Sequence, residues 1–133
     1  MIHLDANLLI AAANASDPHA PVVARLLARR RPLATSACAW TEYRSRPVDP
    51  VEDKVLRQTL TGGIVPFDEA TAVLAGDLFH LTGSKRRTRL DTMIAATAIL
   101  AGAELATVDP DDFQCFVPHG LKLHPLCGNG PVT

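Results

Sequence analysis

The chain predicts an α/β fold with three layers, α/β/α, around a central and mainly parallel sheet of four to five strands. Three observations carry this prediction. Short apolar strand-like runs alternate with amphipathic helices along the whole sequence. Turn or capping residues mark the boundaries between them. No repeat, linker or break in composition divides the 133 residues, a length that suits one domain with a core large enough to need no staples. The expected boundaries are a single domain over residues 1–127 and a frayed tail over 128–133.

Residues 1–4 read as the first strand, followed by an apolar helix from about Asn7 to Ala13. Asp17-Pro18 supplies a cap and a first-turn proline for a second helix reaching about Arg30, with Val23, Leu26 and Leu27 on one face. Leu33 to Thr35 is the second strand, and Ser36 caps a helix carrying Trp40 and Glu42. Pro47 and Pro50 break the chain. Asp49-Pro50-Val51-Glu52 opens the next helix, with Val55, Leu56 and Leu60 apolar and Gly62-Gly63 at its end. Ile64-Val65 is the third strand. Asp68 then caps a helix with Ala70, Leu74, Leu78 and Leu81 on one side, stopped by Gly83. The run Leu90 to Ala101 is apolar almost all round, the mark of a helix buried on more than one side. Glu104 to Val108 is the fourth strand, and the alternation at Leu121 and Leu123 marks an edge strand. Strands separated by helices require crossover connections and hence parallel pairing.

Bulk properties exclude several classes. A composition 47% hydrophobic and 20% charged is ordinary for a soluble globular protein. No apolar run approaches the ~20 residues of a membrane span, and the start has no basic segment of a signal peptide. A cytoplasmic location is the expectation. Cys38, Cys115 and Cys127 form no disulfide framework and are read as reduced thiols. A formal net charge of −1 argues against nucleic-acid binding through global charge. The charge is nevertheless uneven. Arg25, Arg29, Arg30 and Arg31 cluster near a helix end, where they complement the helix dipole. Lys85, Arg86, Arg87 and Arg89 precede Asp91 and would suit a polyanion.

Four acids, Asp5, Glu42, Asp91 and Asp109, each lie just beyond an apolar run read as strand or helix. In an open α/β sheet the loops at the carboxyl ends of parallel strands share a crevice. Carboxylates gathered there repel one another unless a hard divalent cation neutralises them. Metal-dependent attack on phosphate is therefore the first expectation. Each acid also has a plain alternative: Asp5 and Asp91 as helix caps, Glu42 as a surface residue, Asp109-Pro110 as a turn starter. Asn7 is read as a cap orienting the Asp5 loop, and Thr107 as either a site hydrogen-bonder or a strand residue. Cys115, His119, His124 and Cys127 lack the paired spacings of a zinc site and are read as ordinary residues. His3 and His80 are read as structural.

At these residues the sequence resembles the PIN-domain ribonucleases, especially VapC-type toxins of toxin–antitoxin pairs. The resemblance rests on four segments in order: Met1-Ile2-His3-Leu4-Asp5-Ala6-Asn7-Leu8-Leu9-Ile10, Thr35 to Tyr43, Arg89 to Ala98, and Ala106-Thr107-Val108-Asp109-Pro110-Asp111-Asp112-Phe113. It covers residues 1 to about 125. It implies an endoribonuclease whose catalytic quartet is Asp5, Glu42, Asp91 and Asp109, with Asp5, Asp91 and Asp109 as ligands of Mg²⁺ or Mn²⁺ and Asp112 as a supporting or alternative acid. Hard oxygen donors without histidine or thiolate favour these ions over zinc. Lys85, Arg86, Arg87 and Thr107 are candidate RNA contacts. A cognate antitoxin and a homodimer are the implied partners. The chain departs from the family in having Ala6 where Thr or Ser is frequent, and in a denser basic run before Asp91.

Two other readings compete. A phosphatase of another α/β family would want Asp-x-Asp after the first strand, where this chain has Asp5-Ala6-Asn7. A PIN-like domain that binds RNA or protein without cutting keeps the same fold, since fold alone does not establish turnover.

Overall fold

The computed structural model describes residues 1–126. The expected tail at 128–133 and Cys127 lie outside the described residues. Five strands form one sheet: β1 (Ile2–Leu4), β2 (Leu33–Ser36), β3 (Gly63–Val65), β4 (Glu104–Ala106) and β5 (Lys122–Leu123). Their spatial order is β3-β2-β1-β4-β5, and every neighbouring pair is parallel. Six α-helices connect them: α1 (Ala6–Ala13), α2 (Ala20–Ala28), α3 (Ala37–Arg44), α4 (Pro50–Thr59), α5 (Glu69–Leu81) and α6 (Arg89–Leu100). The three-layer α/β/α architecture is the one the alternation of elements predicts.

The register sets the site. His3 lies opposite Ala34 on β2 and Leu105 on β4, so β1 is the central strand, paired on both sides. From β1 the chain moves outward to β2 and β3, then returns to lay β4 on the other side. The reversal leaves a switch point between the carboxyl ends of β1 and β4, the usual ligand crevice of such sheets. Asp5 follows β1 there, and its N–H donates to Ala106 O at 3.0 Å, tying the two strand ends together.

The core is built from the strands and from one face of each helix. Ile2, Leu4, Leu33 and Leu105 are fully buried on the sheet, and Leu8, Leu9, Leu26, Leu56, Leu78 and Ile94 meet it from the helices. Burying such side chains contributes about 1.5–3 kcal/mol each. Helix α1 packs with α2, α3 and α4, while α5 pairs with α6. In α6, Ile94, Ala95, Ala96 and Ala98 are all nearly inaccessible, as expected for a helix apolar almost all round.

Caps explain most helix starts. Ser36 accepts from Ala39 N, Asp49 from Val51 N and Glu52 N, and Asp68 from Thr71 N. The structure corrects several expectations. Helix α2 starts at Ala20, because Asp17 accepts the His19 N–H at 2.8 Å and so closes a turn instead of capping a helix. Asn7 lies inside α1, where Asp5 holds the cap, and its side chain is committed to Asp109 instead. Leu27 and Leu81 are exposed; the buried face of α5 runs through Thr71, Ala75 and Leu78. Helix α4 ends at Thr59, with Leu60 as its cap, before the glycine pair. The packing of Gly62 explains that pair better: a Cβ there would stand 2.9 Å from Ala34 Cβ. A 3₁₀ segment, Pro110–His119, anchors Phe113 and Phe116 in the core, and a shorter 3₁₀ turn spans Arg86–Thr88.

Candidate active site

Four loops and helix starts bring the acids together at the switch point. Asp5 is nearly buried and is the cap of α1, its Oδ1 accepting the Ala6 N–H at 2.8 Å. Its other oxygen accepts the Thr107 hydroxyl at 2.8 Å. Both bonds favour the carboxylate, yet burial outweighs them, and with the charges of Asp109 and Asp112 raises the Asp5 pKa. Asp5 thus takes its plain alternative as a helix cap while standing within electrostatic reach of Asp109 and Asp112.

Asp91 is not a cap. It sits in the first turn of α6, with Thr88 at the capping position, and its carboxylate accepts no hydrogen bond among the described residues. Burial, followed by the charges of Asp5, Asp112, Glu42 and Asp109, pushes its pKa up to about 7. Those causes place all five acids within one electrostatic neighbourhood. Glu42 is on the exposed side of α3, and its pKa is raised by partial burial and by Asp5.

The two candidates for the fourth acid have different surroundings. Asp109 accepts Asn7 Nδ2 at 2.9 Å, and its own N–H donates to Thr107 Oγ1 at 3.1 Å. Asp112, one 3₁₀ turn later, has no such partner among the described residues and lines a crevice of about 480 Å³ together with Asp91. Asn7 therefore links α1 to the Asp109 loop, a role that its helical position hides in the sequence. Thr107 is the hub: buried, it bonds Asp5 with its hydroxyl proton and accepts from Asp109. Strand β4 ends at Ala106, which frees Thr107 for this work.

The same crevice adds residues that the sequence does not single out for the site. Asp111, Thr88 and Cys115 line it beside Asp91 and Asp112. The 3₁₀ winding of Pro110–His119 turns Asp111, Asp112 and Cys115 to one side, and no hydrophobic periodicity announces that winding. Of the basic run, Lys85 and Arg87 line the crevice. Arg89 turns away, its guanidinium 4.7 Å from the Phe79 ring centre at the rim of a separate apolar cavity. Arg86 lines neither. His124 is buried, and its Nδ1 accepts the Leu126 N–H at 3.1 Å, an ordinary structural use.

The donor set fits a hard divalent cation in chemistry: carboxylates only, one of them with its pKa pushed up to about 7 by burial and its neighbours' charge. Among the described residues no group of three or more His, Cys, Asp or Glu side chains stands close enough together to hold a metal ion as arranged. Mutual repulsion keeps like charges apart in this way.

Comparison with known proteins places the geometry. The PIN-domain family model matches residues 2–115. A search of curated proteins finds no match. Among solved structures, FitAcB from Neisseria gonorrhoeae is 26% identical, with 94% of this chain and 98% of that chain covered and a TM-score of 0.67. VapBC2 from Rickettsia felis, bound to a DNA fragment from its promoter, is 21% identical over 93% of this chain and 98% of that one, TM-score 0.65. VapC20 from Mycobacterium tuberculosis, a toxin that cleaves the sarcin-ricin loop, is 14% identical over 94% and 100%, TM-score 0.62. At these low identities the last two bear on the fold alone. With the matched model spanning most of the sequence, from β1 through the last acidic motif, the chain belongs to the PIN-domain family.

Proposed function

We propose that this protein is a divalent-metal-dependent endoribonuclease that hydrolyses RNA phosphodiester bonds, and that it is the toxin of a toxin–antitoxin pair. The observation that carries the proposal is Asp91, half-buried at a helix start, unpartnered, and pushed up to about 7 by burial and four neighbouring carboxylates. A protein with no use for a cation gains nothing from such a cluster, since every member raises the cost of ionising the others.

Asp5 and Asp91 are assigned as the principal ligands. Asp112, facing Asp91, supplies the next oxygen donor, and Asp109 is held beside Asp5 by Asn7 and Thr107 as a further or water-bridged donor. Glu42, exposed and near Asp5, orients or deprotonates the attacking water. Bound Mg²⁺ or Mn²⁺ supplies Lewis-acid stabilisation of the attacked phosphate and eases deprotonation of that water. Thr107 and the Ala6 N–H each hold one Asp5 oxygen and fix the carboxylate's orientation, leaving further lone pairs for the cation, as outer-shell partners of ligands generally do.

The toxin reading is supported by the family, and the fold is one shared with VapC20, a toxin that cleaves the sarcin-ricin loop. By the same support, a cognate antitoxin and a second copy of this chain are proposed partners, and the cytoplasm the proposed location. No helix among the described residues is long and apolar enough to cross a membrane.

Purified protein is incubated with single-stranded and structured RNA in Mg²⁺ or Mn²⁺, then with EDTA. Cleavage that needs the cation and disappears in Asp5→Asn and Asp91→Asn is the expected result. Binding without cleavage under every divalent ion would leave a PIN-like binder instead.

A further inference from the structure

The basic run before α6 is divided by the fold, and the division has a purpose that sequence alone does not reveal. Helix α5 ends through two consecutive left-handed residues, Gly83 at φ +99 and Ser84 at φ +57. Left-handed backbone is unfavourable for serine, so the reversal here is held by the surrounding structure. It feeds the 3₁₀ turn Arg86–Thr88, closed by Thr88 N–H and Oγ1 donating to Lys85 O at 3.0 and 2.8 Å. The turn sorts the basic side chains between two surfaces. Lys85 and Arg87 line the crevice that holds Asp91 and Asp112. Arg89 is spent on Phe79.

Lys85 and Arg87 share this crevice with Asp91, Asp111 and Asp112, yet neither forms an ion pair or side-chain hydrogen bond among the described residues. Elsewhere on the surface, arginines near acids do pair: Arg44 and Arg57 both grip Asp53. Two unpaired cations on one wall of an acidic crevice are positioned for an anion from outside. A phosphodiester backbone presents such anions at regular intervals on both sides of the bond that is cut.

We propose that Lys85 and Arg87 form a flanking-phosphate subsite. They hold a backbone phosphate beside the one attacked at Asp91, while Arg86 and Arg89 contribute nothing to RNA binding. Asp111 stands among the crevice acids and repels a phosphate that slides from this wall toward the 3₁₀ segment, which sets the register of the strand. Lys85 and Arg87 are positioning residues: they grip the strand without touching the reacting atoms. The inference rests on the ribonuclease reading for the identity of the polyanion.

The test measures binding and turnover separately. Asp91→Asn protein, full chain, is titrated with a fluorescein-labelled single-stranded RNA in Mg²⁺ at several salt concentrations. Each phosphate contact to a single strand contributes a salt slope of about 0.7. Adding Lys85→Ala and Arg87→Ala is expected to lower the slope by about 1.4 and weaken binding about tenfold at 0.15 M salt. Arg86→Ala is expected to change neither. With the native acids present, Lys85→Ala/Arg87→Ala is expected to raise KM about tenfold while kcat stays within about threefold. Asp111→Asn is expected to tighten binding and broaden the set of cleavage positions. An unchanged slope in the double variant, an equal loss in Arg86→Ala, or no measurable RNA binding by the Asp91→Asn parent would each overturn the subsite. RNA binding that depends on Lys85 and Arg87 without any cleavage by the native chain would instead remove the ribonuclease reading and leave the subsite standing.

Discussion

Replacing Asp91 by asparagine separates the two costs that the acidic cluster imposes. Asparagine keeps the shape of the side chain and removes its charge. In the folded protein the Asp91 pKa is pushed from 3.8 up to about 7, first by burial and then by Asp5, Asp112, Glu42 and Asp109. A raised carboxylate pKa means that the folded state holds a proton which the unfolded chain has released. Stability of the metal-free protein therefore falls as pH rises from about 4 through about 7, and is level above. The full displacement corresponds to about 4 kcal/mol at pH 8. Asp91 is only half-buried, and solvent screening reduces this to about 1–2 kcal/mol. Asp91→Asn should thus be more stable than the native chain at pH 8 in EDTA, by about 3–8 °C in melting temperature for a domain of this size. Its advantage should shrink to about a third at pH 5, because most of the interval between the two pKa values is then gone. The cation reverses the ranking. At a hundred times its dissociation constant it stabilises the native protein by about 2.7 kcal/mol, and it does little for the variant, which should also lose at least about 100-fold in cleavage. Thermal melts at pH 5 and 8, with EDTA and with Mn²⁺, read all of this. A variant no more stable than the native chain at pH 8, or equally favoured at pH 5, would refute the charge-repulsion account.

Two further perturbations probe the supporting structure. His3 is 1% exposed on the central strand, neither ring nitrogen has a partner among the described residues, and burial with the nearby N-terminus lowers its pKa to about 4. The lowered value makes neutral His3 a source of stability above pH 6.5 that is lost as pH falls toward 4, up to about 3 kcal/mol. His3→Leu should abolish that loss and, by removing an unsatisfied buried polar ring, stabilise the fold by about 1–2 kcal/mol at neutral pH. Urea titrations at pH 7 and 4.5 would show it, and equal acid sensitivity in both proteins would count against it. Thr107→Val keeps the shape of a buried residue and deletes the bonds to Asp5 and the Asp109 N–H. It should cost about 1–2 kcal/mol of stability and about 10–100-fold in cation affinity, measured by calorimetry; unaltered affinity would show that Asp5 needs no second support.

The strand and helix alternation was legible because each boundary carries its own chemistry. Ser36, Asp49 and Asp68 cap the helices expected of them, and the apolar run at Leu90 marks the buried helix. Errors arose where two residues compete for one task. Asp17 and Asn7 both look like caps, but the first closes a turn and the second, inside α1, reaches across 102 positions to Asp109. Long-range contacts of that kind leave no local pattern. The acids could be named from motifs, whereas the difference between Asp109 and Asp112 depends on how the 3₁₀ segment winds. That winding is fixed by Phe113 and Phe116 entering the core at a spacing of three, too short a signal to read beforehand.

The fold resolves a conflict at Asp5 that determines how the site is held together. A nearly buried carboxylate beside other acids should be neutral or displaced, and its raised pKa records that pressure. Two donors oppose it, the Ala6 N–H at the start of α1 and the Thr107 hydroxyl. One comes from the element after β1 and the other from the end of β4, the two strands that border the switch point. Pairing β1 with β4 in register is therefore what brings the second donor to the carboxylate. The same register carries Asp109 to Asn7 and closes a small network across the carboxyl edge of the sheet. Core packing at Ile2, Leu4 and Leu105 thus fixes the geometry of the acids indirectly, through strand register, and a change there reaches the site without touching any carboxylate.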